Sequence, residues 1–511
     1  MKRRHISDIV MIIVIVVFTT LYLRLVFSNY RLFETGLDLG AYAQALFNIS
    51  HFRLPFNTFK NMVMWGDHAH FIIALIAPIY RVFPDARVLL VTQVLVVTFS
   101  GYPLFKIAQK LLNSSLLGLT FLYAYLAFIG TQYALNTDFH PSVLTGGFIL
   151  WFIYAWHFDK KILLWSALVL GLITREDAPP IFFMLGLFYF LQRVGVFILT
   201  RIRKQSFDKK PIMIWLSVML ISFAYFYVIA YVVMPQWTKD GATLTYLDTG
   251  SKDPYEVVRG FFVYPKAIFQ NMTDTETKRN TLNTLFSSFG YLPAFTPFAY
   301  LSGLTIFYSR FASPNEYRWL INNYSNGNIL PILAIGGIYA TGYLFWLLEK
   351  IKLQKLRIIF IVLICAFLIF SVQKNAWSDK KAPLYRARAR HIMPAELVTK
   401  HNEAVTKALE IIPQGDTVAV SSGFTARFAN RRNLQLYPEI NNSTQWLIIS
   451  QYVNPWPLQV GQMKHEINVL KKDSHFSQVW EDSGTYIFKR TSFDKTGTAT
   501  QQSKSVQRSE D

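Results

Sequence analysis

A succession of apolar runs, many close to the length of a membrane-spanning helix, is what most constrains this chain. Ile9–Phe27, Val88–Phe105, Leu116–Leu135, Ile181–Thr200, Ile212–Met234 and Ile329–Leu348 are the longest of them. About 20 consecutive apolar residues cross a bilayer as a helix, because a helix satisfies its own backbone polar groups inside hydrocarbon. The runs do not alternate apolar and polar residues, so they do not read as β-barrel strands. Charged residues make up only 16% of the chain, where about 25% is usual in soluble domains. Adding the shorter runs Val143–Phe158, Ile162–Thr174 and Ile358–Phe370, and a Pro293- and Pro297-broken pair over Leu282–Tyr308, gives about 11 transmembrane helices.

The charges then orient the spans. Lysine and arginine outnumber aspartate and glutamate by 51 to 31, for a net charge of +20. In a soluble protein that excess would suggest nucleic acid. Here the cations sit at the ends of apolar runs, at Lys2-Arg3-Arg4, Lys106 and Lys110, Lys160-Lys161, and Arg201-Ile202-Arg203-Lys204. That is the positive-inside pattern, and it argues for a membrane partner and no nucleic acid. It makes the N-terminus cytoplasmic, in the cytoplasmic membrane of a multi-pass protein. The single cysteine, Cys365, excludes an internal disulfide and a cysteine metal site.

On this topology the polar residues gather on the outer face. A large external loop, 28–87, carries Glu34, Asp38, Gln44, Asp67, His68 and His70, and its Phe71–Val82 stretch reads as re-entrant or interfacial. The next outward turn delivers Asp138-Phe139-His140-Pro141, and the one after it Arg175-Glu176-Asp177. A carboxylate such as Asp38 just outside a membrane is suited to general-base chemistry, or it caps a helix. Asp138 precedes a proline that starts a helix, so it too reads as an acid or as a cap. The imidazoles of His68 and His70 suit a phosphate or, with Asp67, a metal. Arg175 with Glu176 and Asp177 is either a buried ion pair or a cationic anchor for lipid phosphate.

Composition changes after residue 374. Asn402–Ile412 and Val460–Lys472 read as helices. Thr417–Ser421, Leu434–Tyr437 and Trp446–Ser450 read as strands, with a hairpin over Gln478–Arg490 turning at Asp482-Ser483-Gly484. The fold class is therefore an all-α polytopic membrane domain, 1–374, followed by a small extracytoplasmic α/β domain, 375–490. The Ser-, Thr-, Gln- and Lys-rich tail, 491–511, reads as disordered. An interfacial helix is expected at Val257–Phe269.

Leu37-Asp38-Leu39-Gly40 with Gln44 and Asn48, then Trp65-Gly66-Asp67-His68, Asp138-Phe139-His140-Pro141 and Arg175-Glu176-Asp177-Ala178 occur in a familiar order. The pattern resembles the prokaryotic membrane-protein family catalogued as domain of unknown function 2079. That family is similar in layout to the GT-C superfamily of integral-membrane glycosyltransferases, which use polyprenyl-phosphate sugar donors and keep a catalytic acid in the first external loop. The resemblance implies an inverting glycosyltransferase with Asp38 as base and Glu34 or Asp138 assisting. It implies Arg175, His68 and His140 on the donor phosphate, with Gln44, His70, Glu176 and Asp177 completing the substrate site. The cofactor is left open by the residues; a divalent cation is the candidate, with Asp38, Asp67 and His68 as its candidate ligands and Glu34 or Asp138 as further binders. The acceptor would be a saccharide, lipid or protein. A transporter or flippase of lipid-linked or anionic substrates is the alternative, as is a non-catalytic membrane assembly protein.

Overall fold

The computed structural model describes residues 2–136, 138–204, 206, 208–238, 259, 263–378, 380–389 and 395–491. Most of these residues are helical, and six helices are long and apolar enough to cross a membrane. They are His5–Arg31, Arg87–Leu112, Ala178–Ile202, Lys210–Gln236, Asn326–Lys350 and Gln354–Trp377. Ser115–Ala127 and Ile129–Asn136, bent by 42° at Phe128, make a seventh if counted as one span. In the first helix Met11, Ile15, Phe18 and Tyr22 recur at helical spacing and pack inward, while Ile9, Ile12, Ile13 and Val16 lie exposed. A helix apolar on both faces belongs in lipid, where the outward face meets acyl chains.

By length and composition, then, six or seven spans stand where about 11 were expected. Helical rise explains the difference. Pro141–His157 and Lys161–Leu172 have 17 and 12 residues. At 1.5 Å per residue they extend about 26 and about 18 Å, the first at the lower limit for crossing a ~30 Å hydrocarbon core and the second well short of it. The Leu282–Tyr308 stretch does break at its prolines. Its first limb, however, is the polar helix Glu276–Ser287, and its second, Pro297–Phe311, has 15 residues. The expected Val257–Phe269 helix lies partly outside the described residues, and Pro265–Asn271 covers its end. The tail beyond Thr491 lies outside them entirely.

The C-terminal α/β unit matches its expected strands closely, since each is a short apolar run between turn residues. Within the first loop, β1 (Phe56–Asn57) and β2 (Met62–Val63) form a small antiparallel ribbon. The C-terminal sheet contains β3 (Val418–Val420), β4 (Leu434–Leu436), β5 (Trp446–Ser450), β6 (Phe476–Asp482) and β7 (Thr485–Arg490). Their order is β4-β3-β5-β7-β6, parallel at β4-β3-β5 and antiparallel from β5 onward. β3 and β5 are buried along their whole length, as strands covered on both faces must be. Val405, Ala408 and Ile412, at the end of Ala395–Ile411, pack against one face. Met463, Ile467 and Leu470 of Val460–Leu470 cover the other.

This unit is docked on the first loop. Phe33, 1% exposed, packs into the sheet's core against Phe424, with ring centroids 5.2 Å apart. Asn430 donates to the Pro84 carbonyl at 2.7 Å. Gly40 lies so close to Thr425 that a Cβ there would fall 2.4 Å from the Thr425 hydroxyl oxygen. Only glycine permits that approach.

Candidate functional site

The site is built on the helix Leu37–Ser50, whose N-cap residue, Gly36, has no side chain with which to satisfy the first amides. A helix start leaves its first N–H groups without internal partners. Here the partner arrives from a distant turn. The Asp138 carboxylate accepts from Gly36 N at 2.8 and 2.9 Å and from Leu39 N at 3.3 Å. Asp138 thus caps a helix about a hundred residues upstream, and not Pro141–His157 beside it, whose N-cap His140 makes no side-chain cap hydrogen bond. Burial, together with the negative charge of Asp38, pushes the Asp138 carboxyl up to about 7, against the lowering effect of the backbone N–H groups.

Capping by Asp138 leaves Asp38 free of that duty. Asp38 lies in the first turn with its side chain 50% exposed. Its Oδ2 stands 3.8 Å from Nε2 of His140. His140 is buried and stacked on Tyr324, with ring centroids 3.7 Å apart and planes within 13°. Burial holds its pKa down at about 4, against the pull of Asp38, so the imidazole is neutral at neutral pH. Asp38, Asp138, His140 and Tyr324 line one open cavity of about 340 Å³ together with Tyr317, Asn322 and Asn323. The chemistry available there is a solvent-facing carboxylate, a neutral imidazole, and aromatic and amide groups able to receive a polar ligand.

A second cluster adjoins it. His68 Nδ1 lies 2.8 Å from Glu176 Oε1, and the Ala69 amide donates to Glu176 Oε2 at 2.8 Å. Arg175 Nε sits 3.5 Å from Glu176 and 3.7 Å from Asp177. Burial would raise the Glu176 pKa, but His68 and Arg175 outweigh it and hold the carboxyl well below its usual range. Asp177 is pushed the other way, by burial despite Arg175. Tyr42 joins the clusters, its ring centroid 6.4 Å from that of His140 and 5.1 Å from that of His70. The field of Arg175 reaches both Tyr42 and His140.

Several expected site residues take other places. Gln44 is fully buried and its amide is committed to structure. It donates to Thr58 and to the Arg431 carbonyl, at 2.9 and 3.0 Å, and accepts from Thr58 N at 3.0 Å. It ties the first loop to the C-terminal unit and does not line the cavity. His70 is buried against Tyr42 and His68, burial depresses its pKa well below the usual value, and it does not line the cavity. Glu34 is exposed and outside the cavity lining. Asp67 pairs with Lys60, while His68 turns to Glu176. The Asp38, Asp67 and His68 set proposed for a cation is thus drawn apart. Among the described residues no group of three or more His, Cys, Asp or Glu side chains is placed to hold a metal.

Tyr317, Asn322, Asn323 and Tyr324 are the lining residues that sequence reasoning did not single out. Asn322, Asn323 and Tyr324 open the amide-rich run Asn322-Asn323-Tyr324-Ser325-Asn326-Gly327-Asn328 that leads into the Asn326–Lys350 helix. What it lacked was a partner, and His140 supplies one from far upstream.

A search of curated proteins finds no match to the chain. Residues 28–487 match the profile of a family described as predicted membrane protein, DUF2079. The matched span holds Asp38, Asp138, His140, Arg175 and Tyr324 as well as the C-terminal sheet, and the apolar helices agree with the family's description. With only its first 27 residues and its last 24 outside that match, the chain belongs to the DUF2079 family of predicted membrane proteins.

Proposed function

We propose that the Asp38 cavity is the active site of an integral-membrane glycosyltransferase acting on a polyprenyl-phosphate-linked sugar. The observation that carries this reading is the setting of Asp38. Its carboxylate is half-exposed, relieved of helix capping by Asp138, and faces His140 across an open cavity with aromatic and amide walls. In the reaction Asp38 takes the proton of an acceptor hydroxyl. The hydroxyl oxygen bonds to the anomeric carbon as that carbon's bond to the phosphate oxygen breaks, and the phosphate leaves with the bonding pair. Attack opposite the leaving group inverts the anomeric centre. Positive charge near the departing phosphate lowers the barrier; the Arg175 guanidinium supplies it, balanced at rest by Glu176, with His68 beside it as a hydrogen-bonding group. Asp138 acts through Asp38 by fixing the helix start. The cation excess at one set of helix ends supports placing the cavity and the C-terminal unit on the outer face of the cytoplasmic membrane.

The test is an assay of purified full-length protein with a panel of polyprenyl-phosphate sugars, following donor consumption. Consumption that depends on Asp38 supports the reading. Donor transport across a vesicle bilayer without hydrolysis or transfer would replace it with the flippase alternative.

A further inference from the structure

A second cavity, of about 450 Å³, opens at the far end of Pro141–His157, the helix that follows His140. Pro141–His157 starts beside His140 and finishes at this second cavity, so its 17 residues set the two about 26 Å apart. Lys160 and Lys161 border it from the turn after that helix, and Lys209 and Lys210 from the start of Lys210–Gln236. Asp159 is the one acid among its lining residues. None of the four lysines has an ion-pair partner among the described residues. Four exposed lysines bordering one cavity concentrate positive charge there, and an anion among them lowers their mutual repulsion.

The rest of the lining says what kind of anion. Trp156, Leu164, Trp165, Met213 and Ile214 make the remaining walls largely apolar. Outside the cavity, Ile162 is 86% exposed directly beside Lys161, and Ile198 and Ile202 are exposed on the neighbouring helix. A small soluble anion has no use for such walls. A lipid does, because its phosphate sits at the headgroup level while its acyl chains need apolar surface. Tryptophan and lysine are also the side chains favoured at that level. Basic pockets between membrane helices suit anionic headgroups in particular.

We propose that this cavity is a binding site for an anionic phospholipid. The phosphate lies among Lys160, Lys161, Lys209 and Lys210, and the acyl chains run along Ile162 and Met213. A choline headgroup is disfavoured because it would bring a further cation among the four. The site is independent of the transferase reading and lies at the opposite helix ends from Asp38.

The experiment is native mass spectrometry of the full-length protein in neutral detergent, titrated with phosphatidylglycerol, with phosphatidylcholine, or with inorganic phosphate. Wild type should hold phosphatidylglycerol at least about tenfold more tightly than phosphatidylcholine. The variant K160Q/K161Q/K209Q/K210Q should lose that preference, while K209R/K210R and the distant K350Q/K352Q keep it. If the fourfold variant does not fold, K161Q and K210Q alone should each weaken phosphatidylglycerol binding severalfold. Equal binding of the two lipids, an unchanged preference in the glutamine variants, or binding of inorganic phosphate as tight as that of lipid would each overturn the proposal.

Discussion

The carboxylate of Asp138 caps the helix that presents Asp38, bonding Gly36 N through both oxygens at 2.8 and 2.9 Å across 102 residues of sequence. One acid thereby does structural work that leaves the other open to chemistry. The predictions below separate those two jobs.

Asp38→Asn keeps the shape and the hydrogen-bonding capacity of the side chain but cannot take a proton. As a general base, Asp38 is expected to show a loss of about 10²- to 10⁴-fold in transfer rate, with donor binding and thermal stability nearly unchanged. Because the Asp38 side chain is half-exposed and asparagine matches it in shape, stability should move little. Transfer within about threefold of wild type would return Asp38 to a structural role.

Asp138→Asn should act on stability in a pH-dependent way. The carboxyl pKa is raised in the fold to about 7, above its value of ~3.9 in an unfolded chain. A raised pKa means that the folded state holds the proton more tightly, so its contribution is complete below about pH 4 and is lost as pH rises through about 7. Thermal unfolding of wild type should therefore shift downward between pH 5 and pH 8, and the Asn variant should lack that part of the shift. Parallel curves for the two proteins would contradict a raised Asp138 pKa.

His140→Phe preserves an aromatic face for Tyr324 and removes the imidazole beside Asp38. The fold should stand and transfer should fall about 10- to 100-fold, measured on the same donor panel. The pH sign is opposite to that of Asp138. A His pKa lowered to about 4 stabilises the fold above the unfolded value of 6.5, and the contribution is lost as pH falls toward 4. Wild type should lose stability across that acid window more steeply than the Phe variant.

Gly40→Ala tests the docking of the C-terminal unit. The added methyl group would meet the Thr425 oxygen at 2.4 Å and its backbone carbon at 2.9 Å. Overpacking of this kind costs about 1–3 kcal/mol. The C-terminal unit should become more sensitive to limited proteolysis as it loosens from the first loop. Gly415→Ala, with nothing within 4 Å of the new methyl, is the control and should be silent.

Local pattern was enough for much of this molecule. Apolar runs of bilayer length become helices wherever they occur, because lipid leaves the backbone no other partner. The strand Trp446–Ser450 and the turn at Asp482-Ser483-Gly484 follow from short apolar runs between turn residues, and they are found where those runs lie. Asp38, Asp138, His140 and Arg175 were all legible as candidates, since polar residues at the mouths of apolar helices are conspicuous.

Their division of labour was decided by tertiary contacts. Whether Asp138 is an acid or a cap depends on Gly36, whether Gln44 touches substrate depends on Arg431, and whether His68 or Arg175 is free depends on Glu176. Each partner except the neighbour of Arg175 lies about a hundred residues or more away. For a related reason, fewer helices reach spanning length than the about 11 expected: hydropathy measures how apolar a run is, while length depends on where the helix breaks. Sequence determines which groups are available and which runs are apolar. Only the packed chain decides which carboxylate is satisfied by backbone and which is left facing the cavity, because hydrogen bonds between distant segments carry no trace in local pattern.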